Sequence, residues 1–161
     1  MRKYIIRPGS LFIIGLIAGI VSRLLDIYTQ NLGNIFSQMA IWILLGTLIS
    51  IYSHTKRQAM LNIFLFCLGM LMTYYTVAFM THGVYSKTYI IAWTFFAMCS
   101  PIFAYFTWKT QEEGIFPKII SIGIVFVSIL SSLILFDGLR AYDFIINGIL
   151  IYILFFFKVS R

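Results

Sequence analysis

The chain consists of six long apolar runs separated by short polar gaps. At 1.5 Å of helix per residue, runs of this length match a hydrocarbon layer about 30 Å thick, although the last is short. The gaps contain Gly, Asn, Asp and Ser, which are typical of links between helices. The pattern therefore predicts six transmembrane helices. Their expected ranges are residues 10–28, 35–53, 59–80, 88–108, 116–136 and 143–158.

Helices are favoured over barrel strands because the runs lack the strict alternation of a transmembrane strand. The N-terminus begins with basic residues and an apolar stretch, as signal peptides do, but no small-x-small cleavage site precedes Arg23. We therefore expect a retained first helix. Six helices with short links use the whole chain, so the prediction is a single all-α domain over residues 1–161.

The composition agrees with a membrane location. Of the 161 residues, 61% are hydrophobic and 11% are charged, and the mean hydropathy is +0.95. A water-soluble domain carries about 25% charged residues. The lipid bilayer is thus the expected surroundings. Cys67 and Cys99 fall inside apolar runs, which favours packing residues over a disulfide or redox pair.

Lysine and arginine are distributed unequally between the two ends of such a bundle. Cytoplasmic loops are enriched in these residues, so the richer side is expected to face the cytoplasm, together with both termini. The richer side would hold Arg2, Lys3, Arg7, Lys56, Arg57, Lys109, Lys118, Lys158 and Arg161, and the other side Arg23, Lys87 and Arg140. Abundant Ile, Phe and Lys and the lack of long loops suggest the plasma membrane of a bacterium, with the chain as a multi-pass protein.

The first predicted helix carries small and polar residues on one face. Gly15, Gly19, Arg23 and Asp26 recur at intervals of three and four. Small residues at four-residue spacing allow close contact between helices in lipid, and a charged side chain is costly there. We therefore expect this face to meet another helix, with Arg23 and Asp26 pointing into the bundle. It is also a candidate surface for a partner membrane protein.

Further polar residues are expected at the same outer level. With Arg23 and Asp26 they define a predicted outer pocket, completed by Asp137, Arg140, Asp143, Asn147, Tyr74, Tyr75 and Trp93. Two interpretations fit this set. It is an ion-pair network tying the outer ends of the first, fifth and sixth helices together, or a polar vestibule that receives a small-molecule solute.

Patterns typical of membrane enzymes are missing from the sequence. It has no HExxH, GxSxG or P-loop motif, and its two histidines, His54 and His82, are expected on opposite sides of the membrane. We therefore expect no catalytic residues, no metal site, no cofactor and no hydrolysis of ATP by this chain. The basic residues form no polar patch, which argues against nucleic-acid binding.

The preferred hypothesis is a solute-binding or transport subunit with an outward-facing polar pocket. In topology and size, the whole chain resembles the substrate-binding subunits of energy-coupling-factor vitamin transporters. That resemblance implies a separate energising complex as partner.

The alternative from a different class is a structural or regulatory membrane subunit, such as an assembly factor or immunity-type protein, whose outer charges are purely structural. A membrane-embedded enzyme is the least favoured interpretation.

Overall fold

The structure is a computed structural model that describes residues 7–29, 35–36, 38–81, 87–135 and 138–159. These residues form helices and no strand, which confirms the all-α prediction. Six helices are described: α1 (Pro8–Tyr28), α2 (Met39–Ile51), α3 (Lys56–Met80), α4 (Lys87–Lys109), α5 (Ile115–Leu135) and α6 (Ala141–Phe155).

Four of these helices, α1, α3, α4 and α5, are long and apolar enough to cross a membrane. The other two are apolar but shorter, with 13 residues in α2 and 15 in α6. Their axes measure about 20 and 22 Å, against about 30 Å of hydrocarbon. The chain is therefore a membrane-type helical protein with four full-length and two short apolar helices.

Successive helices run in opposite directions. α1 and α3 are parallel, since Gly15 lies against Phe66 and Gly19 against Met70. At the opposite end, Gln38 before α2 bonds to Tyr142 in the first turn of α6. We call the end where α1, α3 and α5 begin the inner end, and the other the outer end.

The inner end is joined by a hydrogen-bonded contact between three helices. Asn62 Nδ2 of α3 donates to Ser53 Oγ at 2.8 Å, and Ser53 Oγ donates to the Ile49 carbonyl of α2 at 2.7 Å. Trp108 Nε1 of α4 donates to the Ser53 carbonyl at 2.9 Å. Buried polar groups need such partners, so this contact fixes the ends of α2, α3 and α4 relative to each other.

α2 lies in the middle of the bundle and contacts α3, α4, α5 and α6. α1 lies at the edge and packs along α3, with no comparable packing against another helix in the described part of the chain. A small apolar core joins α2 to α6 through Ala40, Leu44, Ile146 and Leu150.

The distribution of side chains is the reverse of that in a water-soluble protein. Large apolar side chains cover the outside; Phe79, Ile91 and Phe95 are each about 70% exposed. Many of the largest fully buried side chains are polar, including Gln38 and Asn62. An apolar exterior of this kind suits lipid and would promote aggregation in water.

The described basic residues fall unequally at the two ends of the bundle. Six are at the inner end, namely Arg7, Lys56, Arg57, Lys109, Lys118 and Lys158, and three at the outer end, namely Arg23, Lys87 and Arg140. That the inner end faces the cytoplasm stays a prediction from this asymmetry.

Candidate functional site

The residues of the predicted outer pocket are divided between three places in the structure. Arg23, Asp26, Tyr74 and Tyr75 lie at the outer ends of α1 and α3, whereas Arg140, Asp143 and Asn147 belong to the outer end of α6. Trp93 of α4 lines a cavity in the middle of the bundle. Asp137 lies outside the described residues. A single pocket built from all of these side chains is therefore not what the structure contains.

The first group is an ion pair under an aromatic ring. Arg23 Nη1 donates to Asp26 Oδ2 at 2.9 Å, one helical turn along α1. The guanidinium carbon lies 5.7 Å from the centre of the Tyr74 ring, and the Tyr74 hydroxyl donates to Asp26 Oδ2 at 3.4 Å. Tyr75 meets Tyr74 edge to face at 5.4 Å. The arginine is thus shielded from lipid by its own helix and by α3.

Close approach of the two backbones makes this arrangement possible. Gly15 and Gly19 are buried against the backbone of α3 at Phe66 and Met70, and Gly69 of α3 lies against Phe12. Thr73 Oγ1 donates across the interface to the Leu16 carbonyl at 2.7 Å. Because α3 of the same chain covers the glycine face, that face offers no surface to a separate membrane protein, and this part of the prediction needs correction.

The second group lies between α5 and α6. Asp143 is fully buried; its Oδ2 accepts from the Arg140 backbone N–H at 2.9 Å and its Oδ1 from Ser132 Oγ at 3.2 Å. The Arg140 guanidinium instead donates to the Tyr142 hydroxyl at 2.9 Å. Within the described ranges, no basic side chain forms a salt bridge with Asp143.

One turn deeper, the same two helices present another polar pair. Asn147 Nδ2 donates to the Asp143 carbonyl at 2.8 Å, and Asn147 Oδ1 is buried with no hydrogen-bond partner in the described part of the chain. Ser128 Oγ is also buried, and the described residues offer it no hydrogen-bond partner. Since α5 and α6 are antiparallel, the Ser132–Asp143 contact places Ser128 opposite Asn147. We call Ser128, Ser132, Asp143 and Asn147 the outer polar seam.

Among the described residues, no ion pair joins α1 to α5 or α6. α1 packs along α3, while α6 packs against α5 and α2. The outer charges therefore form two local groups. Membrane depth, which the sequence pattern gives, does not determine which helices are neighbours.

The central cavity lies between α2, α3, α4 and α5 and has a volume of about 220 Å³. Its wall is mostly apolar and aromatic, and includes Trp42, Phe66, Trp93, Phe96 and Phe103. Trp42 Nε1 is held by the Phe36 carbonyl at 2.8 Å, so the ring is fixed at the wall. Concave apolar sites with a few polar groups are typical of ligand pockets.

Hydroxyl groups supply the polar part of the cavity wall. Ser100 Oγ donates to the Ala97 carbonyl at 2.7 Å, which satisfies the acceptor that Pro101 leaves free in α4. Ser50 lines the cavity as well, but its buried Oγ has no hydrogen-bond partner among the described residues. An unpartnered hydroxyl at a cavity wall is suited to a ligand with one hydrogen-bonding group.

Sequence reasoning missed Trp42, Ser50, Ser128 and Ser132. Ser128 and Ser132 have a usable signal, because residues four apart share one face of a helix. Trp42 and Ser50 have no such sequence signal. The cavity combines residues from four helices, and the sequence pattern does not show which helices are neighbours.

In the described part of the chain, no three His, Cys, Asp or Glu side chains are grouped so that they could hold a metal ion. Cys67 lines the central cavity and is a free thiol, and Cys99 is also free.

A family described as "Family of unknown function (DUF6518)" matches residues 1–140. No curated protein and no solved structure matches the chain. The matched segment includes the whole wall of the central cavity and ends just before α6. Because it covers 140 of the 161 residues, the chain belongs to the DUF6518 family of unknown function.

Proposed function

We propose that this protein binds a small, mostly apolar molecule in the central cavity and acts as the membrane-embedded binding subunit of a transport system. The observation that carries the proposal is the Ser50 hydroxyl in the wall of an aromatic cavity, which has no hydrogen-bond partner within the described ranges. The proposal assigns binding to this cavity and not to the polar vestibule expected from the sequence, because the Arg23–Asp26 pair and the buried Asp143 lie between different helices.

The volume limits the size of the ligand. An apolar cavity of about 150 Å³ holds a benzene molecule. By proportion, about 220 Å³ accommodates about nine non-hydrogen atoms. A single aromatic ring with a short substituent fits this limit, and the hydroxyl of Ser50 favours a substituent with one polar group.

The packing of the helices supports access from the bilayer. α4 and α5 both contribute to the cavity wall, yet they pack less closely against each other than α3 packs against α4. A ligand dissolved in the membrane enters between α4 and α5 in this proposal. The sequence has no P-loop, so we expect no ATP hydrolysis by this chain, and the proposal assigns the supply of energy to a separate partner.

A second candidate is a structural or regulatory subunit. It is favoured by the Arg23–Asp26 pair, which is local to α1 and capped by Tyr74, as expected for a structural role. In that case the cavity binds nothing selectively.

Tryptophan fluorescence tests cavity binding, because Trp42 and Trp93 line the cavity and Trp108 lies outside it at the inner end. We expect para-bromobenzyl alcohol, a ring with one hydroxyl and a quenching bromine, to quench the purified protein saturably. Trp108→Phe should keep the saturable component, and the double change Trp42→Phe/Trp93→Phe should lose it. Ser50→Ala should weaken binding about 2–10-fold, the value of one hydrogen bond.

Quenching that rises linearly and equally in all these variants would mean simple partition of the probe into detergent. That result would contradict the proposal and favour the structural subunit.

A further inference from the structure

The outer polar seam between α5 and α6 contains more acceptors than donors. Asp143 is fully buried, and its carboxylate receives one backbone N–H and one hydroxyl. An ionised carboxylate has about four acceptor positions. Its negative charge is thus only partly compensated inside a protein surrounded by apolar surface, where an ionised group is expensive.

The hydroxyl of Ser132 does not fully compensate the negative charge of Asp143. Ser132 Oγ lies 3.2 Å from Asp143 Oδ1 and 3.4 Å from the Ser128 carbonyl. A hydroxyl has one proton and donates to one of them at a time. Whenever it donates to the Ser128 carbonyl, Asp143 Oδ1 has no donor.

Two further oxygen atoms of the seam have no hydrogen-bond partner among the residues that the structure describes. Asn147 Oδ1 and Ser128 Oγ are buried and unpartnered, and both residues are at least nine-tenths buried. The Asn147 amide is oriented by its nitrogen, which donates to the Asp143 carbonyl, so its oxygen is the free atom. A buried polar atom without a hydrogen-bond partner costs about 1–3 kcal/mol, so this grouping calls for a ligand.

We infer that the outer polar seam binds one Na⁺ ion, with Asp143, Asn147, Ser128 and Ser132 as its oxygen ligands. Carboxylate, amide and hydroxyl oxygens are the donors that hard cations prefer. One carboxylate balances one positive charge, so a monovalent ion leaves the buried site neutral, whereas a divalent ion leaves an uncompensated charge. The end of α5 and the start of α6 meet here, so their opposite partial charges offset each other.

This site is separate from the central cavity. The cavity wall includes none of the four residues of the outer polar seam. Na⁺ binding therefore does not depend on the proposed function, and either proposal can fail without the other.

Thermal unfolding in detergent tests the inference, with NaCl, KCl and choline chloride compared at equal ionic strength. A ligand that binds only the folded state raises Tm. We expect NaCl to raise Tm of the intact chain by about 2 °C or more above the other two salts. Asp143→Asn should abolish the difference.

Ser128→Ala provides a second variant in case Asp143→Asn fails to fold. It removes one oxygen and no packed group, and should raise the Na⁺ concentration for half the effect about tenfold. The matched control is Ser131→Ala, since the Ser131 hydroxyl is already bonded to the Ser128 carbonyl at 2.8 Å. Ser131→Ala and Asp26→Asn should both keep the Na⁺ effect.

Three results would overturn the inference: equal Tm in all three salts, an unchanged Na⁺ effect in Ser128→Ala, or a stabilisation that follows pH and not Na⁺. The last result would identify proton binding to Asp143 instead of a metal ion.

Discussion

Two carboxylates near the outer end of the bundle have different surroundings. The Asp26 side chain is one-third exposed and pairs with Arg23 at 2.9 Å. Asp143 is fully buried and accepts hydrogen bonds from a backbone N–H and a serine hydroxyl. Removing one partner of an ion pair at the edge of the membrane costs less stability than removing a partner of a fully buried charge. The two residues therefore have separate roles.

The separation of these groups predicts additive effects of substitution. Arg23→Ala and Asp143→Asn should each lower the free energy of unfolding in mixed micelles, and the double variant should equal their sum within about 0.5 kcal/mol. The reason is that α1 packs along α3, whereas Asp143 lies between α5 and α6.

The matched comparison is Arg23→Ala with Asp26→Asn. These residues are in contact, so their effects should deviate from additivity by about 0.5 kcal/mol or more. A coupling of that size between Arg23 and Asp143 would contradict the two-group arrangement and restore a single network.

At this scale the sequence predicts local pairing well and long-range grouping poorly. Arg23 and Asp26 are three residues apart on one helix, so their contact follows from helical geometry. Arg23 and Asp143 were expected together, yet they lie between different pairs of helices, because helical rise gives the depth of a residue in the membrane but not its lateral position.

The contact between α1 and α3 depends on glycine residues, which have no side chain to hold the two backbones apart. A Cβ atom at Gly15 would overlap the Phe66 carbonyl, and one at Gly19 would overlap the Met70 carbonyl and Thr73 Oγ1. Backbone atoms on one helix cannot move without shifting the helix. In lipid, where apolar burial gives no advantage, this close fit is the main source of helix association.

Adding a methyl group at this interface should separate the two helices. We expect Gly15→Ala to lower the free energy of unfolding by about 1–3 kcal/mol, the usual cost of overpacking. The control is Gly148→Ala in α6, because a Cβ there meets nothing within 4 Å. Gly148→Ala should be neutral or stabilising, since alanine favours helix by up to about 1 kcal/mol over glycine. Equal losses in both variants would contradict the interface.

The glycine spacing in α1 predicted a close helix contact but not the identity of the other helix. Gly69 and Thr73 in α3 have the same four-residue spacing and supply the complementary surface. The short length of α2 was harder to predict from the sequence. Its apolar run extends beyond the helix, and hydrophobicity alone does not show where helical hydrogen bonding ends.

The whole molecule is polarised in charge, with six described basic residues at the inner end and three at the outer end. This asymmetry makes a prediction about sidedness in the membrane. In a chain with Cys67 and Cys99 replaced by alanine, a membrane-impermeant maleimide applied to intact cells should label Lys87→Cys. Lys56→Cys and Lys158→Cys should react only after permeabilisation.

Different labelling of Lys56→Cys and Lys158→Cys would contradict the alternating arrangement of the helices, because both positions lie at the inner end. The charge asymmetry between the two ends of the bundle could be predicted from sequence, since the basic residues lie at or near the ends of the apolar runs. The central cavity could not, since its wall combines side chains from α2, α3, α4 and α5.

The pairing of α1 with α3 also has a consequence for biosynthesis. α1 ends at Tyr28, and α3 is complete only when Met80 has been added. At about 5–20 residues per second, translation of the intervening segment takes about 3–10 s. During that interval the glycine face of the newborn α1 lacks its permanent neighbour. Slow ribosome movement over the codons for α3 would therefore prolong the stage at which membrane proteases can recognise the nascent chain.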